Sequence, residues 1–187
     1  FIEEGYTLDN YDKDELLDSK NLSMFEYVLG FGKFIASEYD NLFQVDKNAQ
    51  DINQIGFELL NACFKRDTAG IKDLDKELYE LDDINDLENK ILATIKTVSE
   101  YIRPFIDFKG NKRANANSST IFHSKYQIIS IIAFVFKEKY CRVENHFEEV
   151  DKQIWNKKNK KLKSVVPQIY FYDILNRNWA EGNQDNL

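Results

Sequence analysis

Six aliphatic side chains between residues 84 and 103 recur at the spacing of one helix face, and this pattern constrains the fold more than any other feature. They follow one another at intervals of three, four, four, three and four residues: Ile84, Leu87, Ile91, Ile95, Val98 and Ile102. The repeat predicts an amphipathic helix from about Ile84 to Arg103, halted by Pro104. Because it covers fewer than three heptads, it favours one wall of a helical bundle over a long coiled coil.

Similar periodicity extends over most of the chain. It predicts further helices at about residues 23–40, 49–66, 74–81, 119–140, 143–155 and 167–182. Seven glycines and two prolines in 187 residues are too few for a loop-rich or all-β protein. The sequence therefore predicts an all-α fold, a single-domain helical bundle of about six to eight helices around one central apolar helix at about residues 119–140.

Local signals indicate where several of these helices begin. Ser23 and Glu26 form a capping-box pattern ahead of the first helix. Ser118 or Ser119 can cap the central helix. Pro167 is typical of a first helical position, so we expect the last helix to begin there.

Two glycines lie inside the first predicted helix. Each of them, Gly30 and Gly32, costs the helix roughly 1 kcal/mol relative to alanine. Glycine at such positions allows another backbone to approach closely, so we expect a neighbouring element to pack tightly against this face.

Both ends of the chain indicate a fragment of a larger protein. The sequence opens at Phe1 rather than at Met, and it stops shortly after a helical pattern. We expect residues 1–22 to form an acidic linker or entering arm. Residues 23–182 would then be the helical domain, and residues 183–187 a truncated end.

The sequence shows neither a membrane anchor nor a signal peptide. Its longest apolar run, residues 128–136, is about half the length needed to cross a bilayer. Cys63 and Cys141 are the only cysteines, and each lies in an apolar, helix-like stretch. This setting favours buried free thiols in a reducing compartment over a disulfide. We therefore expect a cytoplasmic protein without membrane contact.

The net charge of −7 conceals a strong asymmetry between the two halves of the chain. Residues 1–100 hold 10 Lys and Arg against 23 Asp and Glu, a net charge of −13. Residues 101–187 hold 15 against 9, a net charge of +6. Such segregation orients a domain either against a polyanion or against a complementary protein surface, and the sequence does not choose between them.

No pattern of catalytic or metal-binding residues stands out. His123, His146, Cys63 and Cys141 do not have the spacing of a metal site. Phosphate-binding loops need several glycines before a helix, and the polar loop at about residues 107–120 has only one. We therefore predict no catalytic residue, no metal ligand and no cofactor.

Two basic stretches are candidates for nucleic-acid contact, one in the polar loop and one around a predicted helix connection. The candidate residues are Lys109, Lys112 and Arg113 in the first stretch and Lys157, Lys158, Lys160, Lys161 and Lys163 in the second. Trp155 lies close to the second stretch as a candidate base-stacking partner. Lysines bind phosphates and exposed rings tolerate any base. Lysine runs are also common in solvated loops, so both interpretations stay open.

An Arg and a His lie close together near the start of another predicted helix. The spacing of Arg142 and His146 would place both on one helix face. The pair resembles that of the helical RNases called HEPN domains, in which four to six residues intervene between the Arg and the His. Only three residues intervene here. Capping and solvated charge is the competing interpretation.

Three further segments carry a family resemblance when they are taken together. They are residues 24–31 (Met-Phe-Glu-Tyr-Val-Leu-Gly-Phe), residues 122–126 (Phe-His-Ser-Lys-Tyr) and residues 167–175 (Pro-Gln-Ile-Tyr-Phe-Tyr-Asp-Ile-Leu), the last followed by Trp179 and Gly182. The chain thereby resembles the helical region that follows the ParB/sulfiredoxin-like nuclease domain in GmrSD-type proteins, bacterial defence enzymes related to modification-dependent restriction. Two features depart from that family. The expected Gly-Asp pair is replaced by a Gly-Asn-Gln-Asp stretch at residues 182–185, and the catalytic Asp-Gly-Gln-Gln-Arg motif is absent.

The resemblance implies that the nuclease chemistry belongs to an N-terminal part of the parent protein. The present chain would be a non-catalytic helical domain that positions this part or contacts DNA through basic loops. Its partners would be the remainder of the parent chain and DNA. A helical protein–protein interaction module without nucleic-acid contact is the first alternative, and a HEPN-like helical RNase is the second.

Overall fold

The computed structural model describes residues 24–43, 49–64, 78–106 and 124–176. Of these residues, 84% are helical, which confirms the predicted class in broad terms, although a small two-stranded sheet is also present. In chain order the elements are α1 (Met24–Glu38), α2 (Asp40–Phe43), α3 (Ala49–Phe64), α4 (Ile84–Ile106), α5 (Lys125–Lys139), β1 (Tyr140–Val143), β2 (His146–Glu149) and α6 (Lys152–Asn176).

Helix α4 buries the apolar repeat from which it was predicted. Five of its six repeat positions are fully or almost fully buried: Leu87, Ile91, Ile95, Val98 and Ile102. The prediction that Pro104 halts the helix is wrong, because α4 continues to Ile106. Pro104 lies in the last turn with its ring exposed, so its missing N–H removes a single hydrogen bond close to the helix end.

Helix α5 lies against more of the described elements than its neighbours do. It packs against α2, α3, α4, α6 and β1, and its buried residues occupy most of its circumference. The helix begins at Lys125, and Ser124 is its N-cap, with an extended backbone and a side-chain oxygen that accepts from the Tyr126 N–H. The cap is therefore not Ser118 or Ser119, and those two residues lie outside the described ranges.

Helices α1 and α3 cross at two glycines. A Cβ added to Gly32 would collide with the carbonyl of Ile52, and one added to Gly56 would collide with the carbonyl of Val28. The close packing predicted at the glycine face of the first helix is thereby confirmed at Gly32. Backbone-to-backbone contact of this kind requires residues without a side chain.

The helix predicted over residues 143–155 is wrong for most of its length, because only residues 152–155 are helical, as the start of α6. This segment begins with an antiparallel hairpin in which Tyr140 pairs with Glu149 and Val143 with His146. Phe147 of β2 explains the difference, because its ring packs at 5.8 Å from the ring of Phe64. Burial of Phe147 on a strand face outweighs the helical spacing of Phe147, Val150 and Ile154, from which the helix was predicted.

Helix α6 is continuous through Pro167, so the prediction that a separate helix begins at this residue is also wrong. The helix begins after Asp151, whose side chain accepts from the N–H groups of Gln153 and Ile154 at 2.8 and 3.2 Å. Proline inside a helix removes a hydrogen bond and crowds the preceding turn. Buried residues on both sides of Pro167 compensate, since Val166 and Tyr170 are both in the core.

Several predictions lie outside the described residues. These are the acidic arm at residues 1–22, the Ser23 cap, most of the helix at residues 74–81, the polar loop at residues 107–120, and the segment from residue 177 to residue 187. Among the described helices, none is both long enough and apolar enough to cross a membrane.

Candidate functional site

The second basic stretch lies within helix α6 and not in a helix connection. Its N-terminal half carries Lys157, Lys160, Lys161 and Lys163 as exposed side chains. The predicted loop is wrong because the core does not stop at these lysines: Trp155 before them, Leu162 among them and Val166 after them are buried. These buried residues hold the run on one continuous helix.

Exposed residues of α6 form a continuous stripe along the face opposite the core. Counting along the helix, they recur every three or four residues, which places them in one row. We call this row the outer stripe: Lys157, Lys160, Lys161, Ser164, Gln168, Phe171, Tyr172 and Leu175. The buried row on the other side consists of Trp155, Leu162, Val166 and Tyr170. The outer stripe is basic in its first half and apolar in its second.

The basic half of α6 contains no acidic residue. Six lysines lie between Lys152 and Asn176, and Asp173 is the sole carboxylate in that span. Like charges three or four residues apart, such as Lys157 with Lys160 and Lys161, destabilise a helix by roughly 0.2–0.5 kcal/mol per pair. This local density of charge therefore opposes helix stability.

Lys158 has a different role from the other lysines of this stretch. Its ammonium group lies 2.9 Å from a carboxylate oxygen of Glu138 on α5. It also donates to the Glu138 backbone carbonyl at 3.4 Å. Lys158 thus joins α6 to α5, and among the predicted site residues that the structure describes it is the one paired with another helix.

Trp155 is not available as a base-stacking partner, contrary to the sequence prediction. Its side chain is only 8% exposed, and the Lys139 ammonium lies 5.5 Å from its ring centroid. The apolar spacing of α6 directs it into the core together with Leu162.

Exposed aromatic rings occur instead at the C-terminal end of the outer stripe. Tyr172 is 64% exposed and Phe171 is 41% exposed. Phe171 stacks on Phe105 of α4, with ring centroids 5.7 Å apart and an interplanar angle of 13°. The sequence did not predict these exposed rings. Their orientation toward solvent requires that a single helix continues through Pro167, whereas the sequence predicted that a new helix begins there.

The first basic stretch, Lys109, Lys112 and Arg113, lies outside the described residues. Its chain continues into the N-terminus of α5. There Lys125 donates to the side-chain oxygen of Gln54 at 3.0 Å, which ties this end of α5 to α3.

Arg142 and His146 do not share a helix face, because they lie on the two strands of the hairpin. Cross-strand partners point to the same side of a sheet, and successive residues point to opposite sides. Arg142 pairs with Phe147, whereas His146 pairs with Val143. The two side chains therefore project from opposite faces of the hairpin.

Each of these two residues has its own contacts. The Arg142 guanidinium lies 4.7 Å from the ring centroid of Phe64, and its Nε donates to the carbonyl of Glu144 at 3.0 Å. The His146 ring lies between two carboxylates, 3.8 Å from Asp82 through Nδ1 and 3.1 Å from Glu148 through Nε2. The geometry does not bring Arg142 and His146 together as a catalytic pair.

Within the described ranges, no group of three or more His, Cys, Asp or Glu side chains is arranged to hold a metal ion. Comparison of the chain with protein-family models, curated proteins and solved structures finds no match. What the chain does is therefore inferred from its own residues, and the outer stripe of α6 is the best-defined candidate surface.

Proposed function

We propose that this chain is a non-catalytic helical domain of a bacterial, cytoplasmic nuclease-type defence or restriction protein, and that it contacts nucleic acid through the lysines of the outer stripe. The family assignment rests on the resemblance in sequence. The finer architecture, a bundle of about six to eight helices arranged around α5, is part of the same proposal. The catalytic part and the remaining partners belong to the rest of the parent chain.

The observation that carries the nucleic-acid contact is the density of positive charge on one helix face. Lys157, Lys160 and Lys161 are exposed, lie one turn apart or less, and have no acidic residue between them. Because their mutual repulsion opposes helix formation, a partner that neutralises them would bind with a favourable electrostatic term. A phosphate backbone is such a partner.

The expected size of the electrostatic contribution to binding allows a test by salt titration. Neutralising about four phosphates gives a slope of log affinity against log salt concentration of about −3 to −4. We expect the whole chain to bind DNA at low salt and to lose most of this affinity at moderate salt. Replacing Lys157, Lys160 and Lys161 with Glu should abolish the binding and its salt dependence.

A matched variant distinguishes the effect of the outer stripe on DNA binding from the effect of the net charge of the chain. Lys33, Lys96 and Lys137 lie on α1, α4 and α5. Replacing all three with Glu changes the total charge by the same amount without altering the outer stripe. This control variant should bind DNA almost as well as the original chain. Equal loss of binding in both triple variants, or unchanged affinity in the stripe variant, would exclude the outer stripe as the contact surface.

A helical protein–protein interaction module is the second candidate function. It is favoured by the exposed apolar side chains at the end of α6, of which Leu175 is 66% exposed. Solvent-exposed apolar clusters often mark a contact with another protein. Failure of the chain to bind any DNA at low salt would favour this function over the first.

A further inference from the structure

We propose that the nucleic acid bound at this face is single-stranded, with bases stacking on Tyr172 and Phe171 while the phosphates lie along the lysines. This inference rests on the proposed function and names the substrate class of the same surface. It depends on one relationship in the fold, the position of the exposed rings and the lysines on a single continuous helix face.

The spacing of the two halves of the outer stripe suits one strand. Lys161 and Tyr172 are separated by a helix rise of about 16 Å. Single-strand binding surfaces cover about 4–16 nucleotides, so one strand can reach both groups at once. Because α6 is continuous through Pro167, both groups belong to the same helix.

The two rings are suited to base stacking in complementary ways. Tyr172 is the more exposed of the pair, and its ring offers a wide surface to solvent. Phe171 is held in place by its stacked contact with Phe105, so its exposed part is directed away from that ring. A ring fixed in this manner loses little conformational entropy when a base stacks on it.

A single strand can contact both the lysines and the aromatic rings of the outer stripe, whereas a duplex can contact only the lysines. In a duplex the faces of the bases are covered by neighbouring base pairs, and an exposed tyrosine ring finds no partner there. Unpaired bases present their faces to aromatic side chains, and this stacking tolerates any sequence.

A second copy of the chain that presents its own outer stripe is a poor occupant of the same face. If the two α6 helices lay parallel, the lysines of one stripe would face the lysines of the other. If they lay antiparallel, the lysines would face the apolar half of the other stripe. Both arrangements leave positive charge without a partner, and like charges placed together at an interface disfavour association. The charge of the stripe thus favours a polyanion.

The test is a titration of the whole chain with a fluorescent oligothymidylate of about 12 nucleotides and with a duplex of equal length. We expect tighter binding of the single strand. Tyr172→Ala should weaken single-strand binding on the order of tenfold and leave duplex binding unchanged. Tyr172→Trp should keep single-strand binding, and the emission of the added indole should be quenched when a base stacks on it.

Leu175→Ala is the matched control on the same helix face. Leu175 is as exposed as Tyr172 but has no ring, so its loss should not change single-strand affinity. An equal loss from the Leu175 and Tyr172 substitutions would identify a general apolar contact, such as a protein interface, and would overturn the inference.

The outcomes also separate this inference from the proposed function. If the lysine variant fails to bind while Tyr172→Ala binds both probes like the original chain, the surface contacts nucleic acid but does not stack bases. If the lysine variant binds both probes normally, the proposed function itself is wrong.

Discussion

Gly32 of α1 and Gly56 of α3 lie against each other where the two helices cross, with no space for a side chain between the backbones. A Cβ on Gly56 would lie 2.9 Å from the backbone nitrogen and 3.1 Å from the Cα of Gly32. A Cβ on Gly32 would in turn lie 3.3 Å from the Gly56 nitrogen. Neither backbone can move aside as a flexible side chain would, so this contact sets the distance between the two helices.

Gly32→Ala should therefore destabilise the chain. Alanine improves intrinsic helix propensity by roughly 1 kcal/mol, but overpacking of a close contact costs about 1–3 kcal/mol, and here the obstruction is backbone. We expect a net loss of about 1–2 kcal/mol in the free energy of unfolding, measured by urea denaturation followed by circular dichroism. Ser37→Ala, at an exposed position of α1, is the control and should cause no loss. The close contact would be contradicted if the urea midpoint of Gly32→Ala equalled that of the original chain.

Glu144→Gly should stabilise the hairpin. Within the described residues, Glu144 is the sole non-glycine residue with a positive φ, at 53°. The left-handed conformation costs an ordinary residue roughly 1–2 kcal/mol, while the added chain entropy of glycine costs about 0.5–1 kcal/mol. We expect a net gain of about 0.5–1 kcal/mol in the free energy of unfolding. Asn145→Gly, at the next turn position, should instead reduce stability, and the same effect from both substitutions would show that backbone strain is not the cause.

The two cysteines should differ sharply in their reactivity. Cys63 is 2% exposed, and burial raises the pKa of its thiol to about 12, with nearby Lys137 opposing the shift. Cys141 is exposed on β1, contrary to the sequence prediction that both thiols are buried. Since the thiolate is the reactive form, a thiol reagent at neutral pH should modify Cys141 rapidly and Cys63 only after unfolding.

Single substitutions show which cysteine gives the fast reaction with the thiol reagent and which gives the slow one. Cys141→Ser should remove the fast reaction, and Cys63→Ser should leave it intact. Rapid modification of two thiols per folded chain would show that the α3 core opens readily in solution.

Glu58 should make stability depend on pH in the acidic range. Burial raises the pKa of this carboxyl on α3 above its ordinary value, and nearby Lys125 opposes the shift. Because the folded-state pKa exceeds the unfolded value of about 4.3, the favourable contribution is fully present below that pH. It is lost as the pH rises through the folded-state pKa.

Glu58→Gln should thus be more stable than the original chain at neutral pH, and this advantage should shrink as the pH falls. The measurement is the difference in urea midpoint between the two proteins across the acidic and neutral range. Glu80→Gln removes one charge at an exposed position and controls for net charge. An advantage that does not change with pH would show that Glu58 is not the titrating group.

Several features of the fold could be predicted from the sequence because they depend on local patterns. The apolar repeat of α4 is a property of neighbouring turns, and the burial of Ile91, Ile95 and Val98 follows from it. The same holds for the apolar core of α5 and for the close approach at Gly32. The lysines of the candidate site could also be identified from the sequence, because the charge of a lysine does not depend on the fold.

Other features depended on contacts between distant parts of the chain. The hairpin exists because Phe147 packs between Phe64 and Phe136, and residues close to it in the sequence do not reveal that site. The burial of Trp155 and the exposure of Tyr172 depend on distant contacts in the same way. The sequence by itself determined the helical class and the charge of the outer stripe. Tertiary structure alone decided which aromatic rings lie on the same helix face as that charge, because side-chain burial fixes the phase of α6 through Pro167 and no local pattern does.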